Sequence, residues 1–161
     1  MIPGTGPYTM ETIGNASAAW REAGLTIVFT NGCFDLIHPG HVRYLQQASE
    51  LGDLLVLGIN TDRSVTGLKG PGRPILTVEE RSEILLALRS VYAVVPFAEE
   101  TPLELIQRVR PHILVKGGDW AVDEIVGKEI VQADGGKVLN LPYHAGTSTT
   151  EIIDRIRSTI T

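Results

Sequence analysis

The sequence predicts a doubly wound α/β domain: a five-stranded parallel sheet, Rossmann-like, with helices on both faces. Two observations carry this prediction. Short apolar runs rich in β-branched residues alternate with stretches of helical length. One of these runs, residues 54–60 (LLVLGIN), is apolar on both faces, as a strand covered on each side must be.

Each element has a local reason. Strands are expected at 26–30, 54–60, 91–95, 113–116 and 137–141, and helices at 42–51, 78–88, 102–109, 124–133 and 150–160. Thr77 and Glu80 have the capping-box spacing, with a side-chain oxygen at the N-cap and a carboxylate three residues on. Thr101 and Glu104 repeat it, with Pro102 at the first helical position, where its missing N–H leaves nothing unsatisfied. Gly52 and the pair Gly135-Gly136 mark helix ends. Residues 8–24 read as an additional helix outside the core, carrying Trp20, so the chain is one domain (1–161) with an N-terminal helical extension (1–24).

Composition narrows the function classes. With 161 residues, 43% hydrophobic and 20% charged, the chain can bury a core without a disulfide or metal staple. Fourteen Lys and Arg against nineteen Asp and Glu give a net charge of −5, so no global positive field invites nucleic acid or an anionic membrane. A phosphate ligand must be held locally. Cys33 is the one cysteine, which excludes CxxC redox chemistry and zinc ribbons. No apolar run approaches the ~20 residues of a membrane span. The first ten residues lack a basic n-region, so a cytoplasmic chain is expected. The apolar stretch at 84–88 (ILLAL) offers surface for a homodimer, or else belongs to the core.

In open α/β sheets, ligands bind at the carboxyl ends of strands near the topological switch point. The segment after the first long strand, residues 30–41 (TNGCFDLIHPGH), is the most informative. Gly32 allows close backbone approach, and the helix after Pro39-Gly40 offers free N–H groups and a positive dipole end. His38 and His41 flank that start three positions apart, so both rings can face one anion. Either histidine alone can equally be a cap or a surface residue, and no further side chain at metal-like spacing joins them. The glycine spacing fits neither a P-loop nor GxGxxG.

Gly32-Cys-Phe-Asp35 followed by His38-Pro-Gly-His41 resembles the HxGH signature of the nucleotidyltransferase α/β superfamily. Lys69-Gly-Pro-Gly-Arg-Pro74, Glu80-Arg81, Lys116-Gly-Gly-Asp-Trp120 and Gly146-Thr-Ser-Thr-Thr150, in this order, are similar to the adenylyltransferase domains of ADP-heptose synthases. Glycerol-3-phosphate cytidylyltransferases and FAD synthetases are further relatives by the same signature. Against the cytidylyl branch, Pro142 is followed by Tyr143 and His144 where an arginine is expected. Thr147, just before Ser-Thr-Thr, is neutral and leaves the acceptor open.

The resemblance implies transfer of AMP from ATP, carried with Mg²⁺, to a sugar 1-phosphate, most closely D-glycero-β-D-manno-heptose 1-phosphate, with release of pyrophosphate. A phosphate nucleophile is already largely ionised at pH 7, so no general base is needed. By resemblance, His38, His41 and Lys69 would act on the triphosphate in flight. Gly32, Cys33, Phe34, Lys116, Gly118, Asp119, Ser148, Thr149 and Thr150 would hold the nucleotide, Cys33 and Phe34 through main-chain N–H groups. Asp35, Lys69, Arg73, Arg81, Arg89 and Thr147 would meet the acceptor, with Asp35 also a candidate for Mg²⁺. No direct protein ligand to a metal is assigned. A homodimer is expected, as relatives of this size commonly pair. The competing class is a nucleotide-binding module without catalysis, which an intact His38 and His41 pair argues against.

Overall fold

A strand buried at every residue organises the molecule: β3 (Leu54–Asn60) lies inside a parallel sheet, as its two apolar faces require. The structure, a computed structural model, describes residues 1–118, 120–142 and 146–160. The other strands are β1 (Gly6–Pro7), β2 (Ile27–Gly32), β4 (Ala93–Phe97), β5 (Ile113–Gly117) and β6 (Lys137–Leu141). Their order is β1-β4-β3-β2-β5-β6 and every pairing is parallel. The sheet therefore has six strands rather than five. The extra one is the two-residue edge at Gly6–Pro7, too short to leave a periodic signal.

From β2 the chain builds outward through β3 to β4, then returns to place β5 on the other side of β2. The reversal between β2 and β5 is the switch point, and the crevice opens at the carboxyl ends of these two strands. Alternate side chains divide the core. Ile27 and Phe29 face one cluster with α1 (Ile13–Glu22), α5 (Leu103–Val109) and α6 (Lys128–Ala133). Val28, Leu55 and Leu57 face another, with α2 (Pro39–Ser49) and α4 (Val78–Leu86).

The N-terminal helix does not stand outside this core. Trp20 is fully buried, edge-on to both Tyr8 and Tyr92, and its indole N–H donates to the Pro3 carbonyl at 2.8 Å. The Thr77–Glu80 capping box forms in both directions. The one expected at Thr101 does not: Pro102 is the N-cap and no side chain caps α5. The expected helix at 124–133 is divided by Gly127 at φ +88°, leaving a 3₁₀ turn at Val122–Glu124 before α6. An unexpected helix, α3 (Asp62–Lys69), follows β3. It buries only Val65 and contains Gly67, so its sequence lacks an apolar stripe. Lys69 thus ends a helix instead of sitting inside a glycine-rich loop. The stretch at 84–88 is mainly core: Leu85 is buried, Leu86 and Leu88 pack on the second cluster, and Ile84 and Ala87 are exposed. Last comes α7 (Thr149–Ile160), which starts beside the crevice.

Candidate active site

At the switch point lies an open cavity of about 680 Å³. It is lined from β2 and its following loop by Asn31, Gly32, Cys33, Phe34 and Asp35, from α2 by His41, from β5 by Lys116 and Gly117, and from α7 by Thr149 and Thr150. His38, Lys69, Arg73, Trp120 and Ser148 complete the parts relevant to chemistry. A shallow depression of similar size along α5, between Glu99 and Arg108, brings together no comparable set.

The two histidines form one unit. Their rings stack with centroids 3.8 Å apart and planes 26° apart. His38 is the N-cap of α2: the Gly40 and His41 N–H groups donate to its Nδ1 at 3.1 and 3.4 Å. In return the His38 N–H donates to His41 Nδ1 at 3.4 Å. Histidine here does what Ser or Asp ordinarily does at an N-cap. With both Nδ1 atoms accepting, each neutral ring carries its proton on Nε2. Gly40 is required by close approach, since a Cβ there would lie 2.9 Å from the His38 ring. Burial, and the His38 ring beside it, push His41 down to about 4, with a hydrogen bond to the Leu36 carbonyl acting the other way. Burial also lowers His38, partly offset by the Glu151 carboxylate. At neutral pH the pair is an uncharged donor set at a helix N-terminus.

Gly32 has a second constraint: a Cβ on it would meet the ring of Phe34 at 3.0 Å. Phe34 itself adopts φ +48°, a conformation uncommon for a residue with a side chain. Asp35 is committed to structure. Its carboxylate accepts from Arg73 Nε at 2.6 Å and from the Ile75 and Leu76 N–H groups at 2.8 and 3.0 Å. Burial raises its pKa, but the Leu76 and Ile75 N–H groups and Arg73 outweigh that and hold it below its ordinary value. This carboxylate therefore belongs to the segment 73–76 and is not free for acceptor hydroxyls or Mg²⁺.

Two other expected acceptor contacts lie elsewhere. Arg81 is fully buried and absent from the cavity wall, its guanidinium spent on the Leu76 and Cys33 carbonyls and on Asp62. Arg89 is exposed in the turn after α4, away from the cavity. Lys69 and Arg73 do line it. Lys116, whose ammonium burial disfavours, sits with Nζ 5.6 Å from the Trp120 ring centroid. Gly118 turns the chain at φ +98° and its N–H donates to the Leu141 carbonyl at 3.1 Å, so it shapes the rim without lining the cavity. Ser148 caps α7 reciprocally with Glu151, and Thr149 Oγ1 donates to the Leu36 carbonyl at 3.2 Å. Thr147 backs Gly40 through its carbonyl and is not in the lining. Asp119, Tyr143 and His144 lie outside the described residues.

The sequence reading omitted Asn60, Tyr44, Glu100, Thr101 and Trp120 from this wall. Asn60 did carry a signal, as the one polar residue closing an apolar strand at its carboxyl end. Among the described residues no group of three or more His, Cys, Asp or Glu could hold a metal ion.

The cytidylyltransferase-like family model matches residues 29–155, which include every cavity-lining element. The chain belongs to this cytidylyltransferase-like family. The chain is 53% identical over 146 residues to the bifunctional protein HldE of Syntrophotalea carbinolica, and 50% identical over 147 residues to HldE of Geobacter sulfurreducens. In both cases the alignment covers 91% of this chain and 30% of the relative, so the chain spans under a third of the length of these relatives. The fold is also that of a lipopolysaccharide core biosynthesis protein from Thermoplasma volcanium, with a TM-score of 0.62 and 26% identity over 77% of this chain and all of that one.

Proposed function

We propose that the chain transfers AMP from MgATP to D-glycero-β-D-manno-heptose 1-phosphate, forming ADP-heptose and pyrophosphate. The observation that carries this reading is the stacked His38–His41 pair, fixed at the N-terminus of α2 in the switch-point crevice. The high identity to HldE proteins, and the likeness in fold to a lipopolysaccharide core biosynthesis protein, favour a heptose-type acceptor.

Chemically, the acceptor phosphate is its own nucleophile, and the cavity needs to supply position and charge stabilisation. Neutral His38, and His41 once its N–H leaves the Leu36 carbonyl, donate to the α-phosphate region as negative charge builds there. The α2 dipole and the N–H groups of the 33–34 turn assist, and Lys69 and Lys116 neutralise the outer phosphates. Two lysines and a helix dipole cannot offset a triphosphate alone. In this reading Mg²⁺ comes with the nucleotide, as part of the substrate. A homodimer and a cytoplasmic setting, where ATP is available, belong to the same proposal; light scattering that finds only a 17.5 kDa species rejects the dimer.

The deciding assay measures pyrophosphate release with ATP or CTP against heptose 1-phosphate, glycerol 3-phosphate and FMN. ATP with heptose 1-phosphate is the expected pair, silenced by exhaustive EDTA and restored by Mg²⁺. CTP with glycerol 3-phosphate, or ATP with FMN, overturns the substrate assignment; no turnover with any pair overturns catalysis.

A further inference from the structure

Arg81 presents a problem that the proposed reaction resolves. A guanidinium with no solvent exposure is costly unless every donor is satisfied. Its Nε donates to the Leu76 carbonyl at 3.2 Å, Nη1 to the Cys33 carbonyl at 2.7 Å and Nη2 to Asp62 Oδ1 at 2.7 Å. Two of these partners are backbone groups in separate loops, and one of them is in the cavity wall. The Cys33–Phe34 peptide is trans, so the Phe34 N–H points opposite to the Cys33 carbonyl. With the carbonyl held on Arg81, behind the wall, that N–H is turned away from Arg81 and toward the cavity side. The Phe34 N–H has no acceptor among the described residues, although Phe34 is buried. A donor left open in this way awaits a ligand.

The same network grips Phe34 from its other side. Asp35, the next residue, accepts from Leu76 N–H, while Leu76 offers its carbonyl to Arg81. Phe34, at φ +48°, therefore lies between two residues both fastened to the stretch 73–81. Strained backbone persists where its surroundings over-determine it.

We propose that Arg81 is a positioning residue: by holding the Cys33 carbonyl it aims the Phe34 N–H at the nucleotide's phosphates. This rests on the nucleotidyl-transfer reading of the cavity and extends it to a residue that never touches substrate.

The test compares wild type, Arg81→Lys and Asp62→Asn by heteronuclear NMR and steady-state kinetics, below the melting temperature of each. Lysine keeps the buried charge but cannot reach three partners in a fork. Expected for Arg81→Lys is a displaced Cys33 ¹³C′ resonance in the free protein and a reduced shift of the Phe34 amide on adding MgATP. Its kcat should fall at least ~10-fold while KM for the sugar phosphate stays within about twofold. Should Arg81→Lys not fold, Asp62→Asn decides, because Asp62 is partly exposed and outside the cavity. It should displace the same two resonances in the same direction, by less. Wild-type-like Cys33 and Phe34 resonances and kcat in a folded variant overturn the inference and leave nucleotidyl transfer standing. A wild-type protein that shows neither a Phe34 response to MgATP nor pyrophosphate release overturns both.

Discussion

The two walls of the crevice are built differently. On the β2–α2 side, side chains are tied to backbone at almost every step: Asp35 to the 73–76 segment, Arg81 to Cys33, His38 to the first turn of α2. Across the crevice, after β5, the backbone is anchored, with Asn140 Nδ2 donating to the Trp120 carbonyl at 2.6 Å. The side chains there are held more loosely. Lys116 meets the half-exposed Trp120 ring through a single cation–π contact. The difference matches two tasks. Charge stabilisation in a transition state works only through groups placed beforehand, since reorienting dipoles during reaction consumes the gain. A wall that admits and releases a ligand has no such requirement.

Removing the tightest tie tests this contrast most severely. Asp35→Ala leaves Arg73 and two N–H groups unpaired in a nearly water-free place, and should destabilise the fold by about 3–5 kcal/mol in denaturant titrations. The Asp35 pKa is held below its unfolded value, so its contribution is present above about pH 4 and lost as pH falls through the folded pKa. A loss under 1 kcal/mol would show that the wall is not fastened here. Next come the histidines. His38→Ala and His41→Ala should each lower kcat by about 10²-fold, the usual effect of deleting a preorganised donor. His38→Ala should in addition lose about 1 kcal/mol of stability as a deleted N-cap, whereas His41→Ala should lose less from capping. Folded variants with near-full activity would remove the pair from the mechanism.

How much of this was legible in the sequence follows from what sequence patterns record. Periodicity marked β2 through β5, which bury alternate or continuous apolar residues, and β6, whose partly buried Val138 and Leu141 pack on the two clusters. It missed α3, whose one buried residue, Val65, makes no pattern, and it could not see that two residues at Gly6–Pro7 pair with β4. Motif reading brought His38, His41, Lys69, Lys116 and the Ser148–Thr150 turn to one crevice: the histidines and Ser148–Thr150 stand at the starts of α2 and α7, Lys116 near the carboxyl end of β5, and Lys69 at the end of α3. It misplaced Arg81 because a motif records that a residue type recurs beside a site, and not which way the side chain turns. The buried environment of that guanidinium depends on contacts with Cys33 and Asp62, 48 and 19 positions away. Asp35 was misread for a related reason: a carboxylate beside a phosphate site suits a metal or a hydroxyl equally well until its three donors are known.

Proton affinity offers a subtler probe of the tight wall. The His41 pKa, at about 4, lies below the ~6.5 of an unfolded chain. Between those values the folded protein binds fewer protons than the unfolded one, so stability contributed by neutral His41 is complete above about pH 6.5 and declines as pH falls toward 4. Ring ¹H–¹⁵N spectra across pH 3–8 should show His41 titrating near 4 and carrying its proton on Nε2 at neutral pH. A midpoint near 6.5 would mean that the ring is more open to water than its packing against Phe34 and His38 implies.

The smallest effect lies on the looser wall and measures it directly. Lys116 and Trp120 touch through one ammonium-to-ring contact of 5.6 Å, with half of Trp120 in solvent. Exposed cation–π pairs contribute about 0.5–1 kcal/mol. A double-mutant cycle with Lys116→Met and Trp120→Ala, read by chemical denaturation, should therefore return a coupling in that range. The equivalent cycle on the facing wall, Asp35→Ala with Arg73→Ala, should return several times more, because that pair is desolvated and shares its carboxylate with two N–H groups. Similar couplings from the two cycles would erase the distinction between a preset wall and a yielding one. A large coupling at Lys116 would instead place the preorganised charge on the β5 side, and move the expected catalytic sensitivity there with it.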